Sequence, residues 1–435
     1  MGGTFGPILL LGSLLLLIVL SVPIAYALGI SALITALYVG IPLEAVFLKV
    51  SDGVDNFTLL AIPFFVFAGA LMAEGGMARR LIDFANIFVG FLRGGLAMVN
   101  ILSSMFFGGI SGSSVADTSS IGSIMIPMMK KQGYDDAFSV NVTITSSTQG
   151  IVIPPSHNAV IYAYAAGGSV SIAQLFMAGI IPGIMIGVSL MVLAFVISSR
   201  RNYPRGEAVT LKEALRISWQ ALAGLLTVFI IVGGVIGGFF TPTESAAVAV
   251  LWAFFVTLFV YRDYRWRDLP HLLHGVVQTV AMVMIVIGFA AAFAYMMTLM
   301  QIPARTTALL LSISNDRLTV LLLINVMLLV LGTFMDMAPL LLICTPILLP
   351  VATMLGLNPV HFGIVMMLNL SIGLITPPVG TTLFVGCAIG KVPIEQASRQ
   401  LWPFWLAMLA VLLLVTYIPA LTLWIPSLRF PGISY

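Results

Sequence analysis

The chain has 435 residues, of which 60% are hydrophobic and only 8% are charged; its formal net charge is +3 and its mean hydropathy is +1.12. Soluble domains carry roughly 25% charged residues, so this composition excludes a soluble protein and predicts an integral membrane protein. The basic residues sit in short loops between apolar runs, a pattern typical of membrane orientation rather than of nucleic-acid binding.

Apolar segments follow one another along the chain in two similar sets. The first set is 7–22, 23–40, 57–74, 95–107, 115–129, 137–166 and 174–198, and the second is 220–239, 244–261, 275–299, 319–333, 338–354, 360–390 and 402–424. A membrane crossing needs roughly 20 apolar residues. Segment 95–107 extends only about 20 Å as a helix, because each residue rises about 1.5 Å. We therefore expect it to form a re-entrant hairpin with 115–129, and 319–333 to do the same with 338–354.

Each half then contains five crossings and one hairpin, so the odd number of crossings inverts the second half relative to the first. Tracing this path from an external first residue puts most of the 19 Lys and Arg residues on one face. The positive-inside rule makes that face cytoplasmic and both termini periplasmic. The predicted fold is an all-α polytopic membrane protein with two inverted repeats, each of five spans plus one re-entrant helical hairpin.

A motif that is energetically unfavourable inside a helix occurs once in each half. Residues 150–155, Gly-Ile-Val-Ile-Pro-Pro, correspond to residues 373–378, Gly-Leu-Ile-Thr-Pro-Pro, and each lies inside an apolar run of about 30 residues. Consecutive prolines should unwind the helix and free backbone carbonyls at membrane depth. One interpretation is a kinked helix whose hydroxyls bond back to the chain. The other, favoured by the repetition, is a pair of cation and substrate sites.

Two aspartates occupy matching places before these breaks. Asp117 is followed ten residues later by Pro127, and Asp336 is followed ten residues later by Pro346. A carboxylate inside a membrane is costly and marks a functional site. Oxygen ligands at the hairpin tips suit a hard monovalent cation rather than zinc or copper. The alternative for each aspartate is that it caps the returning arm of its hairpin.

Residues 241–244, Thr-Pro-Thr-Glu, have the order of a helix start with a capping box, so we expect a helix to begin there. Cys344 and Cys387 lie in apolar surroundings without CxxC spacing, which predicts two buried cysteines and no redox or metal role. No Ser/His/Asp or HExxH arrangement supports an intramembrane enzyme.

Several motifs in order resemble one known family. They are 109–117 (Gly-Ile-Ser-Gly-Ser-Ser-Val-Ala-Asp), 150–156 (Gly-Ile-Val-Ile-Pro-Pro-Ser), 178–183 (Ala-Gly-Ile-Ile-Pro-Gly) and 239–247 (Phe-Phe-Thr-Pro-Thr-Glu-Ser-Ala-Ala). This set resembles the large, DctM-like membrane subunit of tripartite ATP-independent periplasmic (TRAP) transporters. The resemblance implies an elevator-type importer of organic acids, such as a C4-dicarboxylate or sialic acid, in the bacterial inner membrane. It also implies sodium as the coupling ion and no other cofactor.

The resemblance implies two partners, a periplasmic substrate-binding protein and a small four-helix membrane subunit on a separate chain. It also implies site residues. The sodium sites would be formed by Ser111, Ser113, Asp117 and Gly150 in one half, and by Thr333, Asp336 and Gly373 in the other. The substrate site would be formed by Ser114, Pro154, Asn158, Thr381 and Thr382.

The domain prediction divides each half into a fixed part and a moving part. Residues 1–92 are expected to form scaffold helices plus an interfacial helix, 93–199 a transport bundle, 200–219 a cytoplasmic connector, 220–314 the second scaffold, and 315–435 the second transport bundle. Transport would follow from movement of the bundle against the scaffold. The remaining alternatives are a stand-alone sodium/anion symporter and an ion channel built from the same hairpins.

Overall fold

The computed structural model describes residues 5–314 and 316–432, apart from the side chain of Ile110. Within this range the regular elements are helices, as predicted, and the β pairing amounts to one bridge. The α-helices are α1 (Phe5–Val19), α2 (Ile24–Val39), α3 (Leu43–Val54), α4 (Ala61–Glu74), α5 (Met77–Val89), α6 (Gly95–Ser111), α7 (Ser114–Lys131), α8 (Asp136–Ser147), α9 (Gln149–Val152), α10 (His157–Ala165), α11 (Ile172–Arg200), α12 (Leu211–Gly237), α13 (Pro242–Phe255), α14 (Leu269–Leu299), α15 (Ile302–Ile313), α16 (Arg317–Gly332), α17 (Met337–Met354), α18 (Pro359–Gly373), α19 (Thr381–Gly390), α20 (Ile394–Tyr417) and α21 (Ala420–Arg429). A 3₁₀ turn, Phe57–Leu60, precedes α4, and a π-helical turn, Val256–Tyr261, follows α13.

The terminal predictions fall outside the described residues. These concern residues 1–4 and 433–435, and with them the periplasmic position of both termini. Residue 315, where the second transport bundle was predicted to begin, also lies outside the described part.

Seven described helices are long and apolar enough to cross a membrane by length and composition. They are Phe57–Glu74, Ile172–Arg200, Leu211–Gly237, Pro242–Tyr261, Leu269–Leu299, Met337–Met354 and Ile394–Tyr417. The chain is therefore a multi-pass membrane protein. Met337–Met354, which the sequence assigned to a hairpin arm, also meets the length criterion, whereas α1 and α2 have 15 and 16 residues and do not. The number of crossings and their inversion stay predictions.

The predicted capping box at the start of α13 is confirmed. Thr241 Oγ1 accepts a hydrogen bond from the Glu244 amide at 3.3 Å, and Glu244 Oε2 accepts one from the Thr241 amide at 2.8 Å. A proline occupies the first turn of the helix, where its missing N–H would have had no partner. Glu244 therefore has a structural role that the sequence alone defines.

The predicted connector 200–219 contains the first turns of a helix. Its irregular part comprises only residues 201–210, because α12 begins directly after Thr210. Thr210 and Glu213 form a second capping box, and this local signal starts the helix before the apolar run begins. The first residues of α12 are polar, so a prediction based on apolar segments places the start of this helix too late.

The first hairpin has longer arms and a shorter tip than predicted. Helix α6 has 17 residues rather than 13 and ends at Ser111, so the tip is reduced to Gly112 and Ser113. At 1.5 Å per residue, α6 extends about 25 Å. The glycines at 108 and 109 were assigned to the tip because glycine disfavours helices. They stay helical because the backbone at Gly150 and Pro154 packs against them.

Both predicted helix breaks are confirmed. In the first half, α9 ends at Val152, residues 153–156 are irregular, and α10 begins at His157. In the second half, α18 ends at Gly373 and α19 begins at Thr381. Both Pro-Pro peptide bonds are cis. Helix α7 packs against α8 and α19, whereas α14 packs against α2 and α3, and α13 against α4. The hairpins and broken helices thus contact one another closely.

Candidate functional site

In the first half the backbone of the hairpin lies directly against the backbone of the broken helix. A Cβ atom built on Gly150 would lie 2.5 Å from the Cα of Gly108, and one built on Gly109 would lie 3.1 Å from the carbonyl oxygen of Pro154. Only glycine permits two backbone segments to approach this closely. Gly150 and Pro154, two of the predicted site residues, therefore lie directly against the hairpin.

The tip of this hairpin is also bound to the start of α10. Asn158 Nδ2 donates a hydrogen bond to the carbonyl oxygen of Gly112 at 3.3 Å. Gly112 adopts a left-handed φ of +61°, which favours glycine, and His157 lies beside it. The predicted substrate residue Asn158 is thus buried at the tip and holds it to the break.

The second half repeats this arrangement with different residues. A Cβ built on Gly373 would lie 2.6 Å from the Cα of Gly332, at the end of α16. The amide of Val379 donates to the carbonyl oxygen of Thr333 at 3.1 Å. Thr381 Oγ1 donates to Asp336 Oδ1 at 3.5 Å. In both halves, a glycine pair and a hydrogen bond attach the hairpin to its own break.

The two halves meet where α7 and α19 begin. Ser114 Oγ and Thr382 Oγ1 lie 2.8 Å apart, and both residues are buried. The other ends of these helices are joined by Lys130, whose Nζ donates to the carbonyl oxygen of Gly390 at 2.7 Å. Ser114 and Thr382 were both predicted to contact substrate, and the structure brings them together although 268 residues separate them.

Asp117 is the most unusual residue of the site. It is 0% exposed, and neither of its carboxylate oxygens has a hydrogen-bond partner among the described residues. The hydroxyls of Ser104 and Ser147 are close enough to interact with the carboxyl group, but Ser147 donates its proton to the carbonyl oxygen of Thr143 at 2.8 Å. A buried charge without a partner costs several kcal/mol, roughly, unless a cation or proton accompanies it.

The capping alternative for Asp117 is wrong. The N-cap of α7 is Ser113, whose Oγ accepts from the Ala116 amide at 3.3 Å, and Asp117 lies one turn inside the helix. Ser113 Oγ was the more favourable cap because it precedes the helix, in the extended conformation that a cap requires. The Asp117 carboxylate is therefore available to another ligand.

Asp336 differs from Asp117 although the sequence patterns match. It occupies the N-cap position of α17 but makes no capping hydrogen bond with its side chain. It is also exposed, whereas Asp117 is fully buried. The two aspartates therefore stand in different environments, and the Thr381 hydroxyl is the side-chain partner of Asp336.

The run of hydroxyl and amide side chains at 145–149 bonds to its own helix. Thr145 Oγ1 donates to Asn141 O at 2.6 Å, and Thr148 Oγ1 donates to Thr145 O at 2.7 Å. Ser146, Ser147 and Gln149 also donate to carbonyls three or four residues earlier. This agrees with the kinked-helix interpretation for these donors. The oxygens retain lone pairs, which can still accept from water or bind a cation.

Not all predicted sodium ligands are brought together. Ser111 Oγ accepts from the Ser113 amide at 3.4 Å, so these two residues bond within the tip. No hydrogen bond joins either of them to the Asp117 carboxylate in the described part of the chain. Within that part no group of three or more His, Cys, Asp or Glu residues could hold a metal ion. The atoms near the breaks that could bind a cation are thus mainly oxygens of hydroxyls, carbonyls and isolated carboxylates, which are hard ligands.

The sequence analysis missed two buried asparagines that join each hairpin to its broken helix. Asn100 Nδ2 donates to Thr143 Oγ1 at 2.6 Å, and Asn369 Nδ2 donates to Asn325 Oδ1 at 2.7 Å. Asn100 and Asn325 precede Gly108 and Gly332 by eight and seven residues. An amide side chain about two helical turns before the contacting glycine, in each of two apolar helices, was the signal that could have identified them.

The sequence of this chain is similar to one family model and to several known proteins. Residues 11–421 match the family model described as the tripartite ATP-independent periplasmic transporter, DctM component. The chain is 43% identical over 429 residues to the uncharacterized protein YgiK of Salmonella typhimurium, covering 98% of each chain. It is 42% identical over 402 residues to the C4-dicarboxylate TRAP transporter large permease protein DctM of Pseudomonas aeruginosa, covering 92% of this chain and 94% of that one.

A third relative is longer than this chain. The isethionate TRAP transporter permease protein DctMQ of Oleidesulfovibrio alaskensis is 40% identical over 415 residues, which cover 95% of this chain but 65% of that protein. Among solved structures, the YdaH transporter of Alcanivorax borkumensis superimposes with a TM-score of 0.64 at 13% identity, covering 88% of this chain and 89% of that one. At this identity the similarity concerns the fold alone.

Proposed function

Because the chain belongs to the DctM component family of tripartite ATP-independent periplasmic transporters, we propose that it is the large membrane subunit of a sodium-coupled importer of an organic acid. The family consists of transporter permeases rather than enzymes. In this proposal a periplasmic binding protein delivers the substrate, and a small membrane subunit supports the scaffold. Sodium is cargo that crosses with the substrate, not a resident cofactor.

The observation that carries sodium coupling is the unpartnered carboxylate of Asp117. Its two oxygens are fully buried and have no hydrogen bond within the described part of the chain. The hydroxyl oxygens of Ser104 and Ser147 lie close to the carboxyl group. A monovalent cation that enters there would neutralise the carboxylate and use oxygen ligands, as coupling ions do at broken helices. Ser111, Ser113 and Gly150 stay in the proposed ligand set because they line the adjacent tip and break.

In the second half we propose a matching sodium site at Thr333, Asp336 and Gly373. The support is the repeated geometry of hairpin and break, with Asp336 bonded to Thr381. Asp336 keeps some accessible surface although protein atoms surround it, whereas Asp117 has none.

The substrate is proposed to bind where Ser114 and Thr382 meet. Helices α7 and α19 both begin at this point, and helix N-termini attract anions through their unpaired N–H groups. Asn158, Pro154 and Thr381 complete the proposed site. The names of two relatives specify a C4-dicarboxylate and isethionate, which are both organic anions. These observations support an organic acid as the substrate class.

The proposed movement is that of an elevator. The hairpins and broken helices would move as one body, since Ser114–Thr382 and Lys130–Gly390 hold their two halves together. The scaffold would be formed by helices such as α2, α3 and α14, which pack against one another. Alternating access would then follow from displacement of the bundle past this scaffold.

The decisive experiment is uptake of a labelled organic acid into proteoliposomes. The chain is co-reconstituted with the small membrane subunit, and the cognate binding protein is supplied outside. Uptake is expected only when both an inward sodium gradient and the binding protein are present. Equal uptake after replacement of sodium by choline would overturn sodium coupling. Equal uptake without the binding protein would instead identify a stand-alone symporter.

A further inference from the structure

A small pocket lies at the base of the first hairpin and shares no residue with the proposed transport site. Its volume is about 380 Å³, and it lies between the loop before α6, the end of α11 and the irregular connector 201–210. Its lining consists of Phe91, Leu92, Arg93, Phe195, Ser199 and Arg205. The lining therefore combines two cations and a hydroxyl with aromatic and aliphatic side chains, and it contains no carboxylate.

The two arginines are placed directly opposite each other by the backbone. Arg93 and Arg205 form an isolated antiparallel β-bridge, and the amide of Gly94 donates to the carbonyl oxygen of Pro204 at 3.1 Å. Like charges directly opposite each other in such a pair are destabilising. An anion between the two guanidinium groups would reverse the sign of this interaction.

No described carboxylate neutralises this pair. Arg93 Nη1 donates to the neutral amide oxygen of Asn202 at 3.3 Å, and Arg205 makes no side-chain hydrogen bond or ion pair with any residue in the described ranges. Arg201, four residues earlier, shows the contrast: its Nη1 lies 3.8 Å from Asp135 Oδ1. The cations in the pocket therefore retain donors for an external ligand.

The pocket also has an apolar side that faces outwards. Phe91 is 47% exposed and Phe195 is 44% exposed, and Phe195 belongs to the membrane-spanning helix α11. The basic residues place this end of α11 on the predicted cytoplasmic face. A ligand that fits both parts has a phosphate group, which arginine binds by paired hydrogen bonds, and an apolar tail that contacts exposed aromatic side chains.

We propose that this pocket binds the headgroup of an anionic phospholipid of the cytoplasmic leaflet. The phosphate would lie between Arg93 and Arg205, and the acyl chains would pass over Phe91 and Phe195. Because Arg93 precedes the first hairpin and Arg205 lies in the connector to the second half, one lipid would hold the hairpin base against the connector. The inference rests on this pocket and on the predicted cytoplasmic face, and it does not depend on the proposed transport function.

The test measures lipid retention by the purified full-length chain. The protein is incorporated in nanodiscs of phosphatidylethanolamine with 10% phosphatidylglycerol, extracted gently, and analysed by native mass spectrometry. Arg205→Gln and Arg93→Gln are each expected to reduce bound phosphatidylglycerol about fivefold or more. Arg265→Gln, which removes another exposed arginine outside the pocket, is the matched control and should retain it. Equal retention by Arg205→Gln and the control would overturn the proposal.

A second arm separates a lipid from a soluble anion. Inorganic phosphate is added to the protein in pure phosphatidylethanolamine nanodiscs, and the thermal unfolding temperature is compared with that in discs containing phosphatidylglycerol. Stabilisation by the lipid, lost in Arg205→Gln, supports the proposal. Equal stabilisation by inorganic phosphate would overturn it, because the pocket would then bind a free anion. Arg205 is exposed, so its substitution is not expected to impair folding.

Discussion

The hydroxyl of Ser114 lies 2.8 Å from the hydroxyl of Thr382, and this contact joins the hairpin of the first half to the broken helix of the second. Each residue belongs to the first turn of its helix, α7 or α19. A ligand bound at this junction would touch both halves at once. The prediction of two half-sites around one substrate, rather than two separate substrate sites, rests on this junction.

Removal of either hydroxyl should weaken substrate binding. Ser114→Ala and Thr382→Val are each expected to raise the KM for uptake about fivefold, because one hydrogen bond contributes ~1 kcal/mol. In the double variant the two losses should not simply add, since the two hydroxyls contact each other. Initial uptake rates over a substrate series provide the measurement. Ser119→Ala is the control, because Ser119 is exposed on the same helix and bonds to Val115 O; strictly additive losses would contradict the shared junction.

Loss of the Asp117 charge should reduce sodium affinity. Asp117→Asn keeps the shape of the side chain, and the sodium concentration for half-maximal uptake is expected to rise about tenfold or more, as for loss of a charged ligand. Asp316→Asn is the control, because Asp316 is an exposed cap of α16 that accepts from the Thr319 amide. Sodium titration of uptake measures both variants. An unchanged titration curve for Asp117→Asn would limit Asp117 to a structural role.

The glycine contact between hairpin and break should not tolerate a methyl group. Gly150→Ala would place a Cβ 2.5 Å from the Cα of Gly108, and the expected destabilisation is about 1–3 kcal/mol, with loss of uptake. Gly275→Ala is the matched control: it lies in α14 with no atom within 4 Å, so alanine should be neutral or stabilise by up to ~1 kcal/mol. Thermal unfolding in detergent compares the two. Equal unfolding temperatures would show that the close approach is unimportant.

The lysine at the base of α7 should hold the two halves of the bundle together. Lys130→Met removes the hydrogen bond to Gly390 O and the ion pair with Asp136 at 2.9 Å. Because the Lys130 side chain is 27% exposed, solvent screening limits the expected destabilisation to about 1 kcal/mol. Lys131→Met is the neighbouring control, since Lys131 is exposed and makes no ion pair with a described residue. If both variants unfold at the same temperature, Lys130 has no such role.

Much of the architecture follows from local chemistry. The membrane class follows from composition, because a chain with 8% charged residues cannot cover a soluble surface. Both breaks follow from their Pro-Pro pairs, which cannot continue a helix, and the start of α13 follows from the capping box of Thr241 and Glu244. These features depend on residues within a few positions of one another, so the sequence alone was sufficient to predict them.

Contacts between distant segments required the tertiary structure. The sequence ended α6 before Gly108, but the helix continues to Ser111 because Gly150 packs against it from another helix. Asp117 and Asp336 occupy equivalent places in the sequence pattern, yet Asp117 has no accessible surface and Asp336 keeps some although protein atoms surround it. Burial is decided by which helices pack around a residue, and those helices come from segments far away in the chain. For the same reason, the pairing of Ser114 with Thr382 across 268 residues could be seen only in the folded protein.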